Sequence, residues 1–365
     1  MIDTALMKYE ERAVFALRRL YEQYGYQPFK MSRFEEYELY LKNQDFLISK
    51  EVITFTDSNG RLLAMKPDVT LSIIKKSHDR KGQVEKVYYH ENVYRTAKGT
   101  HTFKEIMQAG LECIGDLSDY EIAEVVLLAL KSLALMGERY ILDLSHMGLI
   151  SAVLESSGLS AEGQKEALGF LDQKNAHELL TLCEKEGAKA EKLLALLSCS
   201  GAPEQAFSSL APLMETAEEQ SALASFEGLC GILRSCGFEG HFRVDFSVGN
   251  DMKYYSGVVF KGYLEGIPAG ILSGGQYDKL LQKMGRKSGA AGFAVYLDLL
   301  ERLEEREELG ADFLLLYEEG ETPDAIAAAV ETLAREGKVL AARALPEGAT
   351  FKKIIKLKEG RMQDA

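Results

Sequence analysis

The sequence predicts an α+β fold: an antiparallel sheet flanked by helices, with a helical insertion and a short C-terminal α/β unit. Strand-like segments occur both in residues 1–147 and in residues 238–306, whereas residues 148–237 have helical spacing throughout. Residues 307–365 carry one further strand–helix–strand pattern, which is too short for a complete five-stranded α/β domain. We therefore expect a two-part core, an inserted helical block and a truncated C-terminal unit.

The core begins with a predicted amphipathic helix and a hairpin. Apolar residues recur at helical spacing over Tyr9–Tyr24, and Gly25 suits the left-handed end of a helix. The segments EVITFT and RLLAMKP flank the pair Asn59-Gly60, which tolerates the positive φ angles of a tight turn. Two antiparallel strands are therefore expected after the first helix.

A second hairpin is predicted from KVYYHENVYR and FKEIMQAGLECIG, joined by the polar loop 96–102. Side chains alternate between the two faces of a strand, so Gln108 and Glu112 point the same way. If the opposite face packs on the core, both look into a cleft. A buried carboxylate beside a buried amide requires polar partners.

The remaining core elements follow from capping and apolar patterns. Ser118 and Glu121 form a capping box that opens a helix ending near Met136, and YILDLS is the next strand. After the insertion we predict strands at HFRVDFS, YYSGVVFKGYL and AGILSGG, then helices near Tyr277–Met284 and Phe293–Glu305. The pair Gly274-Gly275 fits close backbone packing better than a phosphate-binding loop.

The C-terminal unit reads as a strand at ADFLLLY, a helix opened by Thr322 and Pro323, and a strand at KVLAARAL. The last basic segment, FKKIIKLKEGR, is a candidate nucleic-acid strip. We favour a solvated tail or an edge strand guarded by lysines.

Composition excludes several classes of function. Acidic residues outnumber basic ones, 56 to 43, and the net charge of −13 disfavours nucleic-acid binding. No apolar run approaches the roughly 18 residues of a membrane span, and the N-terminus lacks a signal-peptide pattern, so we expect a cytoplasmic protein. The five cysteines and six histidines show no ligand spacing, so we expect reduced thiols, no metal and no cofactor.

Four stretches resemble the catalytic core of class II aminoacyl-tRNA synthetases, and within that class the histidyl-tRNA synthetases. They are MKPDVT, VYRTAKGTHTFKEIMQAGLE, MKYYSGVVF and SGGQYDKLLQKMG followed by GAAGFAVYLDLL. Each stretch is weak alone, but the four occur in the family's order and spacing. The resemblance extends from about Tyr9 to Glu305.

The resemblance implies a nearly complete pocket for histidine. Asp68 and Thr70 fall where the family holds the α-amino group, and Arg95 falls on the arginine that reaches the carboxylate and the α-phosphate. Gln108 and Glu112 match the pair that reads the substrate, and Tyr254 and Tyr255 match the tyrosines that close over the ring. A neutral imidazole offers one donor and one acceptor, which a carboxylate and a tyrosine hydroxyl satisfy.

The same resemblance indicates that amino-acid activation is lost. Asn250 and Leu299 stand where the family carries arginines, and Ala97 replaces a glutamate. Arginines neutralise charge that develops on the phosphates, and each lost contact of this kind lowers the rate by about two to three powers of ten. We therefore expect no synthetase activity and no catalysis by this chain.

A histidine pocket without activation, joined to a truncated tail, resembles the regulatory subunits of ATP phosphoribosyltransferase. The resemblance implies a homodimeric building block of a hetero-oligomer with a short catalytic subunit, histidine as an allosteric ligand and no tRNA. In that family the regulatory chain supports the first step of histidine biosynthesis and mediates feedback inhibition. An active histidyl-tRNA synthetase and a scaffold with a vestigial pocket remain as alternatives.

Overall fold

The computed structural model describes residues 7–47, 51–96, 102–248, 255–302, 311–346 and 349–364. The chain forms two compact units, Met1–Leu303 and Glu304–Ala365. Within the described residues, no helix is both long and apolar enough to cross a membrane. The division of the first unit into a core and an inserted block stays a prediction.

Eleven α-helices fall within the described part of the first unit. They are α1 (Tyr9–Gln23), α2 (Tyr37–Lys42), α3 (Thr70–Lys76), α4 (Asp119–Met136), α5 (Met147–Ser156), α6 (Ala161–Asp172), α7 (Ala176–Glu186), α8 (Glu191–Ser198), α9 (Pro203–Leu210), α10 (Ala217–Ser235) and α11 (Asp278–Lys283). Short 3-10 helices cover Gln44–Phe46, Ala211–Leu213 and Leu297–Arg302.

Twelve strands accompany these helices in the described residues. They are β1 (Gln27–Pro28), β2 (Phe34–Glu36), β3 (Thr54–Thr56), β4 (Leu62–Met65), β5 (Val84–Thr96), β6 (Phe103–Gly115), β7 (Tyr140–His146), β8 (Ser200–Gly201), β9 (Phe242–Asp245), β10 (Val258–Leu264), β11 (Leu272–Gln276) and β12 (Gly289–Tyr296).

The first unit is organised by a nine-stranded sheet in the order β1-β5-β6-β12-β11-β10-β7-β9-β8. Its pairs are antiparallel except for β1 with β5 and β7 with β9. Strands from before and after the α5–α10 block therefore belong to one sheet, as the sequence predicted. The long hairpin β5–β6, with Glu91 opposite Gln108, is confirmed.

The two faces of strand β6 have different surroundings. Ala109, Leu111 and Cys113 enter the main hydrophobic core, which includes the apolar face of α4. Ile114, on the opposite face, belongs to a second apolar cluster that includes residues of α3 and α11. Gln108 also lies on this second face and is buried. The sequence prediction that one face of β6 packs on the core while the other turns polar groups inward is confirmed.

Short sequence motifs predicted the ends of two helices and one hairpin turn correctly. The first helix ends before Gly25, whose φ of +81° is the left-handed conformation expected there. A smaller three-stranded sheet, β2-β4-β3, contains the predicted hairpin with Gly60 at φ +79° in the turn. Ser118 and Glu121 form the predicted capping box at the start of α4.

The helix predicted over Phe293–Glu305 is wrong at its start. The segment up to Tyr296 is strand β12, which lies between β6 and β11, and a 3-10 helix follows it. A run of small and apolar residues fits a buried helix and a buried strand equally well by periodicity. Tertiary structure decides for the strand, because the segment pairs with β6 on one side and β11 on the other.

The C-terminal unit contains a four-stranded sheet and one helix within the described residues. They are β13 (Ala311–Tyr317), α12 (Pro323–Ala334), β14 (Val339–Ala342), β15 (Phe351–Lys358) and β16 (Arg361–Asp364), with the strand order β14-β13-β15-β16. The Thr322 hydroxyl caps α12 by accepting a hydrogen bond from the backbone N–H of Ala325, as predicted.

The segment FKKIIKLKEGR is neither a tail nor an edge strand. Strand β15 pairs with β13 on one side and β16 on the other. Ile355 and Leu357 are buried in the core of the unit, while Lys356 between them is exposed. Burial of Ile355 and Leu357 holds the strand inside the sheet, and Lys356 and Lys358 remain solvated on the alternate positions.

The capping box of α4 gives a stability prediction. The backbone N–H of Ser118 donates to Glu121 Oε2 at 2.8 Å, and the Ser118 hydroxyl accepts from the N–H of Tyr120 at 3.2 Å. We expect Ser118→Ala to lower the free energy of unfolding by about 1 kcal/mol, because the Tyr120 N–H loses its acceptor, the serine hydroxyl. Urea denaturation measures this change.

Ser208→Ala is the matched control. The Ser208 hydroxyl donates only to the Glu204 carbonyl oxygen within helix α9, at 2.6 Å, and caps no helix end. Its removal should change stability by less than about 0.5 kcal/mol. Equal effects of the two substitutions would contradict a capping role for Ser118.

Candidate functional site

One pocket on the sheet collects most of the predicted binding residues. Six of them line it: Asp68, Thr70, Arg95, Gln108, Glu112 and Tyr255. They come from the loop before α3 and the start of that helix, from β5 and β6, and from the segment that leads into β10. Tyr254, Ala97 and Asn250 lie outside the described residues.

Glu112 occupies the centre of the pocket, on β6, and is only 2% exposed. The Thr70 hydroxyl donates to its Oε1 at 2.6 Å, and the Tyr277 hydroxyl donates to its Oε2. A Cβ on Gly292, opposite it on β12, would lie 1.8 Å from Oε2. Glycine at position 292 therefore provides the space in which this carboxylate sits.

Burial raises the pKa of Glu112 to about 8, although the hydrogen bonds from Thr70 and Tyr277 oppose that rise. The negative charge of nearby Asp68 raises the pKa further. Near neutral pH the site therefore holds a carboxyl group that can donate or accept a proton when a polar ligand enters. A perturbed carboxyl among convergent polar groups in a pocket is typical of a binding site.

Asp68 and the first turn of α3 form the wall of the pocket next to Glu112. The N–H of Leu71 donates to Asp68 Oδ1 at 2.9 Å, so the aspartate caps the helix. Burial raises the pKa of Asp68, and the positive charge of Arg95 opposes this. Arg95 is oriented by its Nε, which donates to the Pro67 carbonyl oxygen at 3.0 Å. The pocket thus has two carboxyl groups on one side and a guanidinium beside them.

Tyr255 is buried and closes the pocket beside β11. A Cβ on Gly275 would lie 2.7 Å from Tyr255 Cε1, so only glycine leaves room for the ring. The sequence prediction that Gly274-Gly275 serves close packing is confirmed by this contact. Gly274 is itself one of the residues that line the pocket.

Several lining residues were not predicted from the sequence. Tyr277 follows β11 and binds Glu112, and the buried Tyr89 lies on β5. Ser273 and Tyr296 share a hydrogen bond of 2.9 Å between their hydroxyl oxygens. Tyr277 stands inside the stretch SGGQYDKLLQKMG, and the need of a buried Glu112 for hydrogen-bond donors is the one signal that could have suggested it.

Leu299 lies apart from these residues, in the 3-10 helix after β12. Its side chain is partly buried and packs against the main hydrophobic core. The position at which the resemblance expects an ATP-binding arginine is therefore an aliphatic packing position in this chain. Among the described residues, no group of three or more His, Cys, Asp or Glu side chains is arranged to hold a metal ion.

The raised pKa of Glu112 predicts a pH-dependent stability. The folded chain keeps a proton up to about pH 8, whereas the unfolded chain releases it near the ordinary value of 4.5. The folded state therefore binds more protons between these values, and its stability falls as pH rises through the window. We expect the free energy of unfolding of the wild type, relative to Glu112→Gln, to fall by a few kcal/mol, at about 1.4 kcal/mol per pKa unit.

Denaturation of both proteins at a series of pH values measures this difference. The comparison with Glu112→Gln cancels the titration of all other groups. Glu155→Gln, on an exposed position of α5, should instead follow the wild type at each pH. A wild type that runs parallel to Glu112→Gln from pH 4.5 to 8 would show that Glu112 is ionised in the folded chain.

The chain is similar to known proteins in sequence and in fold. Residues 3–300 match the family model described as histidyl-tRNA synthetase. A protein of Geobacillus sp. (strain WCH70), named ATP phosphoribosyltransferase regulatory subunit, is 28% identical over 351 residues, which cover 93% of this chain and 88% of that protein.

Two solved structures share the fold. A Bacillus halodurans C structure, titled an ATP phosphoribosyltransferase regulatory subunit/histidyl-tRNA synthetase, superposes with a TM-score of 0.73 at 24% identity and covers 98% of this chain and 96% of that one. A chain of the ATP phosphoribosyl transferase complex of Thermotoga maritima gives a TM-score of 0.63 at 18% identity and covers 79% and 97%. The predicted class II synthetase-like fold is confirmed, and the chain belongs to the histidyl-tRNA synthetase family.

Proposed function

We propose that this chain is a non-catalytic regulatory subunit of ATP phosphoribosyltransferase. In this proposal it supports a short catalytic subunit at the first step of histidine biosynthesis and binds histidine as the feedback inhibitor. A homodimer of the chain is the building block of the complex, which acts without tRNA in the cytoplasm. The observation that carries the proposal is the pocket around Glu112, combined with an aliphatic residue at the ATP-binding position 299.

The chemistry of the pocket suits histidine. The Glu112 carboxyl accepts an imidazole N–H, and the tyrosine hydroxyls beside it supply donors for the second ring nitrogen. Asp68 supplies negative charge for the α-amino group, and Arg95 supplies positive charge for the carboxylate. Leucine or phenylalanine would leave these buried polar groups unpaired, at about 1–3 kcal/mol each, so the pocket discriminates against them.

Names of relatives support the regulatory role. The Geobacillus protein named as a regulatory subunit covers most of this chain, and a chain of similar fold occurs in the Thermotoga maritima complex. Feedback then requires that histidine bind one state of the complex more tightly than another, since equal affinity shifts no equilibrium. A coupling of about 1–3 kcal/mol between the pocket and the partner's active site is typical of such regulation.

The test is histidine inhibition of the complex reconstituted with a short catalytic subunit. Glu112→Gln should raise the histidine concentration for half-inhibition at least about tenfold, because an amide replaces the carboxyl that reads the imidazole. Each complex is normalised to its own rate without histidine. Glu155→Gln is the matched control and should leave half-inhibition unchanged. Unchanged inhibition in Glu112→Gln would place the sensor outside this pocket.

An active histidyl-tRNA synthetase is the second candidate, favoured by the presence of Arg95 in the pocket. That activity needs phosphate-neutralising groups that Leu299 cannot supply. Histidine-dependent exchange of pyrophosphate into ATP separates the two candidates. The regulatory proposal expects exchange at least about four powers of ten below an ordinary synthetase. A rate near that of an ordinary synthetase would overturn it.

A further inference from the structure

The loop that supplies Asp68 and Thr70 begins at a buried lysine that has no part in the pocket itself. Lys66 is 1% exposed, and its Nζ forms an ion pair with Glu91 on β5, whose side chain is 16% exposed. Burying an ammonium group is unfavourable unless it is paired, and an apolar side chain of the same length would fill the space without that cost. The buried pair therefore calls for an explanation other than stability.

The surrounding contacts indicate what the pair does. The backbone N–H of Lys66 donates to the Arg33 carbonyl oxygen at 3.3 Å, and its own carbonyl oxygen accepts from the N–H of Tyr94 at 2.9 Å. Glu91 Oε1 also accepts from the N–H of Met31 at 3.3 Å. Lys66 thus joins the end of β4 to the segment before β2 and to strand β5.

The residues after Lys66 connect this attachment to the pocket. The carbonyl oxygen of Pro67 receives the hydrogen bond that orients Arg95, and Asp68 follows directly. Asp68 caps α3, and Thr70, the first residue of that helix, holds Glu112. The position of Lys66 therefore affects three residues of the proposed histidine site, which are Arg95, Asp68 and Thr70.

We infer that Lys66, paired with Glu91, is a positioning residue that sets the 67–70 loop against β5 and thereby tunes the affinity of the pocket for histidine. This inference rests on the proposed function for its ligand. Replacing a buried ion pair by uncharged side chains often leaves stability unchanged or raises it. A shift of the 67–70 loop against β5 would instead lower the affinity for histidine. Measuring both the stability and the histidine affinity of a variant therefore distinguishes a positioning role from a purely structural one.

The test uses the full chain with Lys66→Met/Glu91→Gln, in which the amide of residue 91 keeps an acceptor for Met31. Calorimetry with L-histidine should give a Kd about tenfold above the wild type, because the loop that carries Asp68 and Thr70 loses its attachment to β5. The thermal midpoint should be unchanged or higher. The matched control is Lys42→Met/Glu38→Gln, which removes an exposed ion pair of 2.7 Å on α2 and should leave the Kd unchanged.

Hydrogen exchange supplies a readout that is independent of histidine. The Tyr94 and Leu71 amides, bonded to the Lys66 carbonyl and to Asp68, should lose protection in the double variant. A second variant, Glu91→Asp, keeps both charges and withdraws the carboxylate by one methylene, so it should weaken histidine binding in the same direction even if the double variant does not fold.

The outcomes of these experiments are distinct. A wild-type Kd together with wild-type amide protection in the variants would overturn the positioning role. No heat from the wild type would instead overturn the histidine pocket, and the exchange measurement would still decide whether Lys66 sets the loop.

Discussion

The hydrogen bonds to a buried carboxyl group organise the site of this protein. Glu112 lies in the middle of a nine-stranded sheet, where an unpartnered carboxylate would be strongly unfavourable. Its two oxygens accept from Thr70 at the start of α3 and from Tyr277 after β11. These donors come from before and after helices α5–α10 in the sequence, so the carboxyl group is satisfied only when α3 and the segment after β11 have both reached β6. The space for it requires glycine at position 292.

The pocket depends on the interior of the sheet. Several of its lining residues lie on strands that are fixed by pairing on both sides. The sequence resemblance expects an ATP-binding arginine at position 299, where this chain has a leucine that packs against the core. In the proposed function the chain keeps the binding pocket and lacks the activating group, which suits a sensor of the amino acid.

The sequence pointed to more of the residues that line the pocket than of the residues that hold them in place. Alternation along β6 alone placed Gln108 and Glu112 on one face, and the resemblance supplied Asp68, Thr70, Arg95 and Tyr255. Tyr277 was not predicted, because it is 165 residues from Glu112 and no local pattern reports a hydrogen bond across that separation. The ion pair of Lys66 with Glu91 was likewise invisible, since charged residues are ordinarily solvent-exposed.

Errors in the fold arose where local patterns were ambiguous. The segment that forms β12 is apolar on both faces, so helical and strand periodicity could not be distinguished. The lysines of β15 indicated an exposed edge, whereas the burial of Ile355 and Leu357 held that strand inside its sheet. In both cases pairing with distant strands decided the structure.

The central claim is that the pocket recognises free histidine. Titration of L-histidine into the purified chain, followed by calorimetry near neutral pH, tests it most directly. We expect saturable binding of one histidine per chain, no detectable binding of L-leucine, and loss of the histidine signal in Glu112→Gln. Absence of heat with the wild type, or equal heats for histidine and leucine, would contradict it.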